Sequence, residues 1–425
     1  MTDPLASNYK TISDMKAKGL YTPVRTLLSS QGSWIIVDGP TSSTTTSGLR
    51  GAGKKLLNFC SNNYLGFAQD KRLVSAVIKA VKKYGVGPGA VRPISGNLKL
   101  HMQAEAALAK FKGQEAAFLL PGGFIANIVA IATIVGKEDI VISDELNHAS
   151  IIDAIKLAQV KNKFIYKHND MGELEMRLNE AVKLAETPKS DGQKPIILVV
   201  TDGVFSMDGD IANLPAIVKL AKRYGAITMV DDAHGEGVLG EGRGIAHHFG
   251  LQGQLDIEVG TLSKAFGVLG GVIAGKKDLI EYYRQKGRPY LFSTGLTVAD
   301  TAAVIEGIKI LSRSKLLVKK LWDNAAYLKA GFQKLGFDTG RTQTPITPVM
   351  LGDENLAKEF SKKLFEHGIF ATPIKYPMVA LGKARIRVMP SATHTKKDLD
   401  FGLRAFANVG RELHVLASQA TISGI

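Results

Sequence analysis

Lys264 follows an apolar run, Leu255-Asp256-Ile257-Glu258-Val259, and sits among hydroxyls and small residues in Gly260-Thr261-Leu262-Ser263-Lys264-Ala265. An amine in such a place is partly desolvated, can shed its proton and can act as a nucleophile. A lone Ser-Lys pair is more often a solvated surface feature, so its neighbours decide. Pro121-Gly122-Gly123-Phe124 follows a strand-like run and opens a helical one. Two glycines at a helix N-terminus let backbone N–H groups approach an anion, although such a turn is usually only structural. His148, in Asp144-Glu145-Leu146-Asn147-His148, and Ser206, in Asp202-Gly203-Val204-Phe205-Ser206, follow two further strands. Singly, they read as a capping histidine and a turn serine. Asp231 leaves the apolar run Ile227-Thr228-Met229-Val230, where an unpaired carboxylate is costly. It needs a cationic partner, and His234 can return to the same place.

The elements that must position these residues alternate. Helices are predicted over Lys71–Tyr84, Leu98–Phe111, Phe124–Val135, Ser150–Val160, Gly172–Leu184 and Leu214–Tyr224. Strands are predicted over Ala116–Leu120, Ile140–Ser143, Ile196–Thr201, Ile227–Asp231, Ile257–Thr261 and Val272–Ala274. Short apolar strands between amphipathic helices imply an α/β fold with a mostly parallel central sheet buried on both faces. Ligands on such sheets bind at the carboxyl ends of the strands. The reading divides the chain into an N-terminal helix and β-hairpin segment over 1–60, a large α/β domain over 61–296 and a smaller C-terminal α+β domain over 297–425. The Ser/Thr/Gly-rich stretch from Pro40 to Lys55 reads as the long tip of the hairpin.

Placed at successive strand ends, Gly123, His148, Ser206, Asp231, His234 and Lys264 supply a phosphate site, a ring to stack, a hydroxyl, a carboxylate for a pyridinium and an amine for a Schiff base. Those are the demands of pyridoxal 5′-phosphate (PLP).

Composition narrows the classes. Of 425 residues, 45% are apolar and 22% charged, as in an ordinary folded domain. No apolar run reaches the roughly 18 residues of a membrane span, so no membrane role is expected. One cysteine, Cys60, rules out an intrachain disulfide and suits a reducing cytoplasm. The net charge of +15 is spread along the chain, which argues against nucleic acid and for a polyanionic small molecule. No metal is expected.

The chain resembles the α-oxoamine synthases, fold-type I, aminotransferase-like PLP enzymes that join an amino acid to an acyl-CoA. The motifs are N-F-C-S-N-N-Y-L-G at 58–66, S-D-E-L-N-H-A-S-I-I-D at 143–153, D-G-V-F-S-M-D-G at 202–209, V-D-D-A-H-G at 230–235, G-T-L-S-K-A at 260–265 and R-P-Y-L-F-S at 288–293. The resemblance implies that Lys264 forms the Schiff base and later moves the α-proton. It implies that Asp231 pairs with the pyridine nitrogen, His148 stacks on the ring, and Ser206 and His234 approach the phenolic oxygen. Gly123, Phe124 and Thr261 would hold the phosphate. Ser293 and Thr294 would reach the phosphate of a neighbouring subunit, which implies a homodimer with the active site at the subunit interface. Arg387 would bind the substrate carboxylate, with Asn62 near the substrate.

Within the family the resemblance is strongest to the glycine C-acetyltransferase branch, supported by K-A-R-I-R-V-M-P-S-A-T-H-T at 383–395. That branch implies glycine and acetyl-CoA giving 2-amino-3-oxobutanoate, and a place in threonine catabolism. The 8-amino-7-oxononanoate synthase branch, which uses L-alanine and pimeloyl-CoA in biotin biosynthesis, stays open because Arg25 could meet the carboxylate of a long acyl chain. A serine palmitoyltransferase reading is weaker. A 5-aminolevulinate synthase reading is weakened by Val91 and Pro93 flanking Arg92. A P-loop ATPase or helicase is disfavoured. Gly48-Leu49-Arg50-Gly51-Ala52-Gly53-Lys54-Lys55 nearly fits the phosphate-loop pattern, but Lys55 stands where a Mg²⁺-binding hydroxyl is needed.

Overall fold

The computed structural model describes residues 3–18, 21, 24–38 and 53–417. The first strands, β1 (Trp34–Val37) and β2 (Lys54–Asn58), pair antiparallel. Most of the expected hairpin tip lies outside the described residues. Lys54 and Lys55 open strand β2 and not the helix into which a phosphate loop leads.

Next come β3 (Ala116–Leu120), β4 (Ile140–Asp144), β5 (Asn162–Tyr166), β6 (Ile197–Asp202), β7 (Ile227–Asp231), β8 (Ile257–Thr261) and β9 (Gly271–Gly275). They form one sheet in the order β3-β9-β8-β7-β6-β4-β5. Pairing is parallel from β8 through β7, β6 and β4 to β5, and only β9 runs against its neighbours. Strand β5 is absent from the predicted set. It is one of the two edge strands, with Lys163 and Ile165 exposed. Alternate residues of β5 face outwards, so it lacks the continuous buried run that marks the other strands of this sheet.

Alternate side chains of the buried strands feed two cores. Met229, Val259, Ile273 and Leu198 pack under the helices Gly123–Ala132 and Ala149–Leu157. Val199, Val230 and Val272 pack on the other face, with residues of Lys99–Lys112, Leu214–Arg223 and Val298–Arg313. The long helical pattern after Thr297 is two helices, Val298–Arg313 and Leu316–Leu335, separated where Ser314 takes an extended conformation.

The last strands are β10 (Thr347–Gly352), β11 (Ile369–Phe370), β12 (Pro373–Ile374) and β13 (Ala384–Val388). They build two small sheets, β10-β13-β12 and β1-β2-β11. The second joins the N-terminal hairpin to the C-terminal unit through parallel pairing of Ile369 with Leu57. Leu57 and Phe59 accordingly share a core with Phe332, Phe360, Phe406 and Ile386. The closing helix, Lys396–Glu412, starts at a capping box in which Thr395 and Asp398 exchange side-chain and backbone hydrogen bonds.

Behind the sheet lies a buried charge cluster. Lys112 Nζ is 3.4 Å from Glu258, 3.7 Å from Glu236 and 3.8 Å from Asp232, all in side chains at most 1% exposed. Burial works against the ammonium, but Glu236, Glu258 and Asp232 outweigh it and hold Lys112 charged. Asp232 also accepts the Ile245 N–H, fixing the turn that carries His234. Lys112→Met would leave three buried carboxyls without their cation. The expected loss is about 3 kcal/mol of stability, read as a lower urea midpoint at unchanged slope; an unchanged midpoint would show the cluster to be energetically idle.

Candidate active site

Parallel strands deliver their carboxyl ends to one edge, and the loops leaving those ends wall a cavity of about 300 Å³. Lining it are Gly123, Phe124, His148, Ser206, Asp231, His234, Thr261 and Lys264, all predicted from sequence, together with Asn127 and Asp202, which are not. Arg387 reaches the same region. Its Nη1 donates to the Ser206 carbonyl at 3.0 Å, and its charge acts on Lys264 and His234.

The remaining predicted residues stand elsewhere. Asn62 does not line the cavity, and its buried Oδ1 has no hydrogen-bond partner. Arg25 is exposed, its guanidinium 4.4 Å from the centre of the Phe365 ring. Ser293 and Thr294 are exposed too, Ser293 beside a separate groove with Ile125, Leu157 and Phe292. None of these four meets Lys264 within its own chain.

Asp231 is set by two donors. Asn127 Nδ2 lies 2.6 Å from Oδ2 and the Ala233 N–H 3.0 Å from Oδ1. Asn127 also donates to Ser150 Oγ at 2.8 Å, and Ser150 meets His148 Nδ1 at 2.7 Å. One polar chain thus fixes the carboxylate and the imidazole together. The sequence signal for Asn127 is an asparagine inside an otherwise apolar helix, Gly123–Ala132, where only a buried partner justifies the amide. Tyr64 is a further residue that the sequence did not reveal; its hydroxyl pairs with His234 Nδ1 at 2.8 Å. No local spacing signals a bond spanning 170 positions.

Charges in the cavity follow from burial. Burial pushes the Lys264 amine down to about 8 against the pull of Asp231 and Asp202, and Arg387 pushes it the same way. His234 is driven well below its usual value by burial, then by Lys264, Arg387 and His148. Burial lowers His148 more than Asp231 raises it. Burial raises Asp202 well above the usual carboxylate range, and the neighbouring Asp231 adds to the rise.

The loop bearing Ser206 is pinned from outside. His168 lies 3.1 Å from Asp144 and 2.6 Å from Asp210. Burial disfavours its charge, but hydrogen bonds to the two carboxylates prevail and hold it up at about 10. It is therefore cationic at neutral pH, with Phe205 against its ring.

These features fit PLP. A Cβ on Gly123 would come 2.7 Å from Thr261 Cβ, so only glycine lets the Thr261 hydroxyl and the helix N-terminus share one concavity. Asn127 Oδ1 and Asp202 Oδ1 are buried and lack partners within the protein. Residues 54–406 match the family described as aminotransferase class I and II. The chain is 58% identical to an 8-amino-7-oxononanoate synthase of Fervidobacterium nodosum, over 96% of this chain and all of the relative. The chain belongs to the PLP-dependent α-oxoamine synthases.

A second 8-amino-7-oxononanoate synthase, from Thermosipho melanesiensis, is 57% identical over 96% of this chain and 98% of the relative. The solved serine palmitoyltransferase of S. paucimobilis, carrying a PLP–myriocin aldimine, superposes with a TM-score of 0.86 at 30% identity, covering 98% of this chain and all of that one. The fold-type I architecture and the PLP cofactor expected from the motifs therefore hold for this member of the family. The placement nearest the glycine C-acetyltransferases does not, because the relatives at 50–58% identity carry the other name. The motifs that mark the family serve the cofactor, which every branch shares, so they separate the branches poorly. Among the described residues no helix is long and apolar enough to cross a membrane.

With Lys264 near 8, about one tenth of the amine is neutral at pH 7, against far less for an ordinary lysine. The visible absorption that develops on adding PLP to the apoenzyme should appear faster as pH rises and level off above about 8. Lys264→Ala should give no such band. A rate flat from pH 6 to 8 would contradict the assignment.

Proposed function

We propose that this chain joins L-alanine to pimeloyl-CoA, releasing CoA and carbon dioxide and yielding 8-amino-7-oxononanoate. The observation that carries this choice is the run of relatives with that name, 50–58% identical over 95–98% of this chain. Arg92 gives independent support against a succinyl-type branch. It is buried against Glu105 at 3.0 Å and donates to Asn97 at 2.8 Å, so it is committed within its own chain.

When bound, PLP supplies the electron sink for charge formed at the amino acid's α-carbon. The chain does the rest. Thr261 and the N–H groups at Gly123 and Phe124 would hold the phosphate. Asp231, which accepts from Asn127 and Ala233, would pair with the ring nitrogen. His148 would stack on the ring, and Ser206 and His234 would serve its phenolic oxygen. The Lys264 amine, its proton loosened by burial, would take the proton from the α-carbon at Nζ. Arg387 clamps the substrate carboxylate, for which a guanidinium is suited in a way an ammonium is not.

Release of CoA, measured with alanine and pimeloyl-CoA, should exceed glycine with acetyl-CoA and serine with palmitoyl-CoA by about tenfold or more in kcat/KM. One carbon dioxide should appear per CoA. In the same assay Arg387→Ala should raise the alanine KM by an amount worth about 2–4 kcal/mol. A preference for glycine with acetyl-CoA and no carbon dioxide would overturn the substrate assignment.

The groove beside Ser293 also holds Leu157 and Phe292, 62% and 74% exposed. An apolar patch of that kind calls for a protein partner, and the proposal is a second copy of this chain. Sedimentation at micromolar concentration should give the mass of two chains, and Phe292→Asp should give that of one. A wild-type monomer would refute the dimer.

A further inference from the structure

The cavity holds two carboxyl groups, and only one has a role in the proposed reaction. Asp202 ends β6 directly beside Asp231, its register partner at the end of β7. Cross-strand partners project from the same face of a sheet, and both line the cavity. Two carboxylates sharing one buried site do not both ionise without a large cost.

The hydrogen bonds decide which of them keeps the proton. Asp231 receives two donors, one on each oxygen. Asp202 receives one, the His148 N–H at 3.2 Å on Oδ2, while Oδ1 has no partner. The residue is 6% exposed. We propose that Asp202 stays un-ionised at neutral pH and presents its carboxyl proton from Oδ1 to the bound cofactor, leaving Asp231 as the only carboxylate in the cavity.

The surrounding charges agree. Burial and the Asp231 carboxylate favour the neutral acid, as does Asp144 at the end of β4 on the other side. Lys264 opposes them, but burial and Asp231 outweigh it. The remaining titratable neighbours are His148 and His234, both held towards their neutral forms by burial. A neutral Asp202 can donate to the cofactor. An ionised one would repel the phosphate-bearing ligand and share the ring nitrogen's charge with Asp231. The inference rests on PLP and not on the choice of amino acid or acyl chain, so the CoA-release assay and the Asp202 experiment can fail separately.

Asp202→Asn keeps the size, the neutrality and a donor. Infrared difference spectra of the two apoproteins at pH 7 should show loss of an un-ionised carboxyl stretch. Loss of a carboxylate stretch would overturn the proposal. In the loaded proteins, Asp202→Asn should bind PLP within about threefold of wild type and keep the pH midpoint of its visible band, whereas Asp202→Ala should bind at least about tenfold more weakly. A midpoint displaced by a full pH unit or more in Asp202→Asn, or wild-type affinity in Asp202→Ala, would refute it.

Discussion

A buried amine that must be neutral and a buried carboxylate that must be charged share one small cavity, and much of the structure serves that contradiction. Burial disfavours both charges. Lys264 is left to it and falls to about 8. Asp231 is protected by Asn127 and the Ala233 N–H. Burial thus loosens the proton of the amine at one strand end, while the carboxyl at the next has a donor on each oxygen.

The parallel sheet makes this possible. Adjacent strands that run the same way bring their carboxyl ends to one edge, and each loop leaves there with a few side chains free to face inwards. The rear of the same strands is held by the Lys112 cluster, which fixes the turn around His234 from the opposite face. The front is tied to the C-terminal unit by the loop over 203–211. Arg387 donates to Ser206 O, Arg385 donates to Met207 O, and Thr344 donates to Gly209 O. His168 anchors that loop to the sheet through Asp210. Arg387, proposed above to clamp the substrate carboxylate, is thus hydrogen-bonded to the loop that carries Ser206.

Legibility in the sequence tracks this division. Strands buried on both faces are apolar runs, and β3, β7 and β8 carry the limits their residues predict. The edge strand β5 mixes Asn162 and Lys163 with aromatics and gives no such run. Among site residues, those in glycine-rich or strand-end motifs could be read because the chemistry demands a residue type at a defined point of a strand–loop unit. Tyr64, Asn127 and Asp202 could not. Each acquires its partner across a long sequence separation; Asn127 leaves a local trace, an amide in an otherwise apolar helix, but that trace does not name Asp231.

The sequence by itself determined the α/β alternation, the family and with it the PLP cofactor, because these rest on local periodicity and on residues within a few positions of one another. Only the tertiary structure decided which groups share a dielectric and a hydrogen-bond network. It placed Asp202 beside Asp231, committed Arg92 to Glu105, and set Arg25, Ser293 and Thr294 apart from their own chain's cavity. The physical reason is that ionisation depends on neighbours in space. Two carboxylates 29 positions apart become register partners only when β6 and β7 pair, and from that pairing comes the decision of which can remain charged.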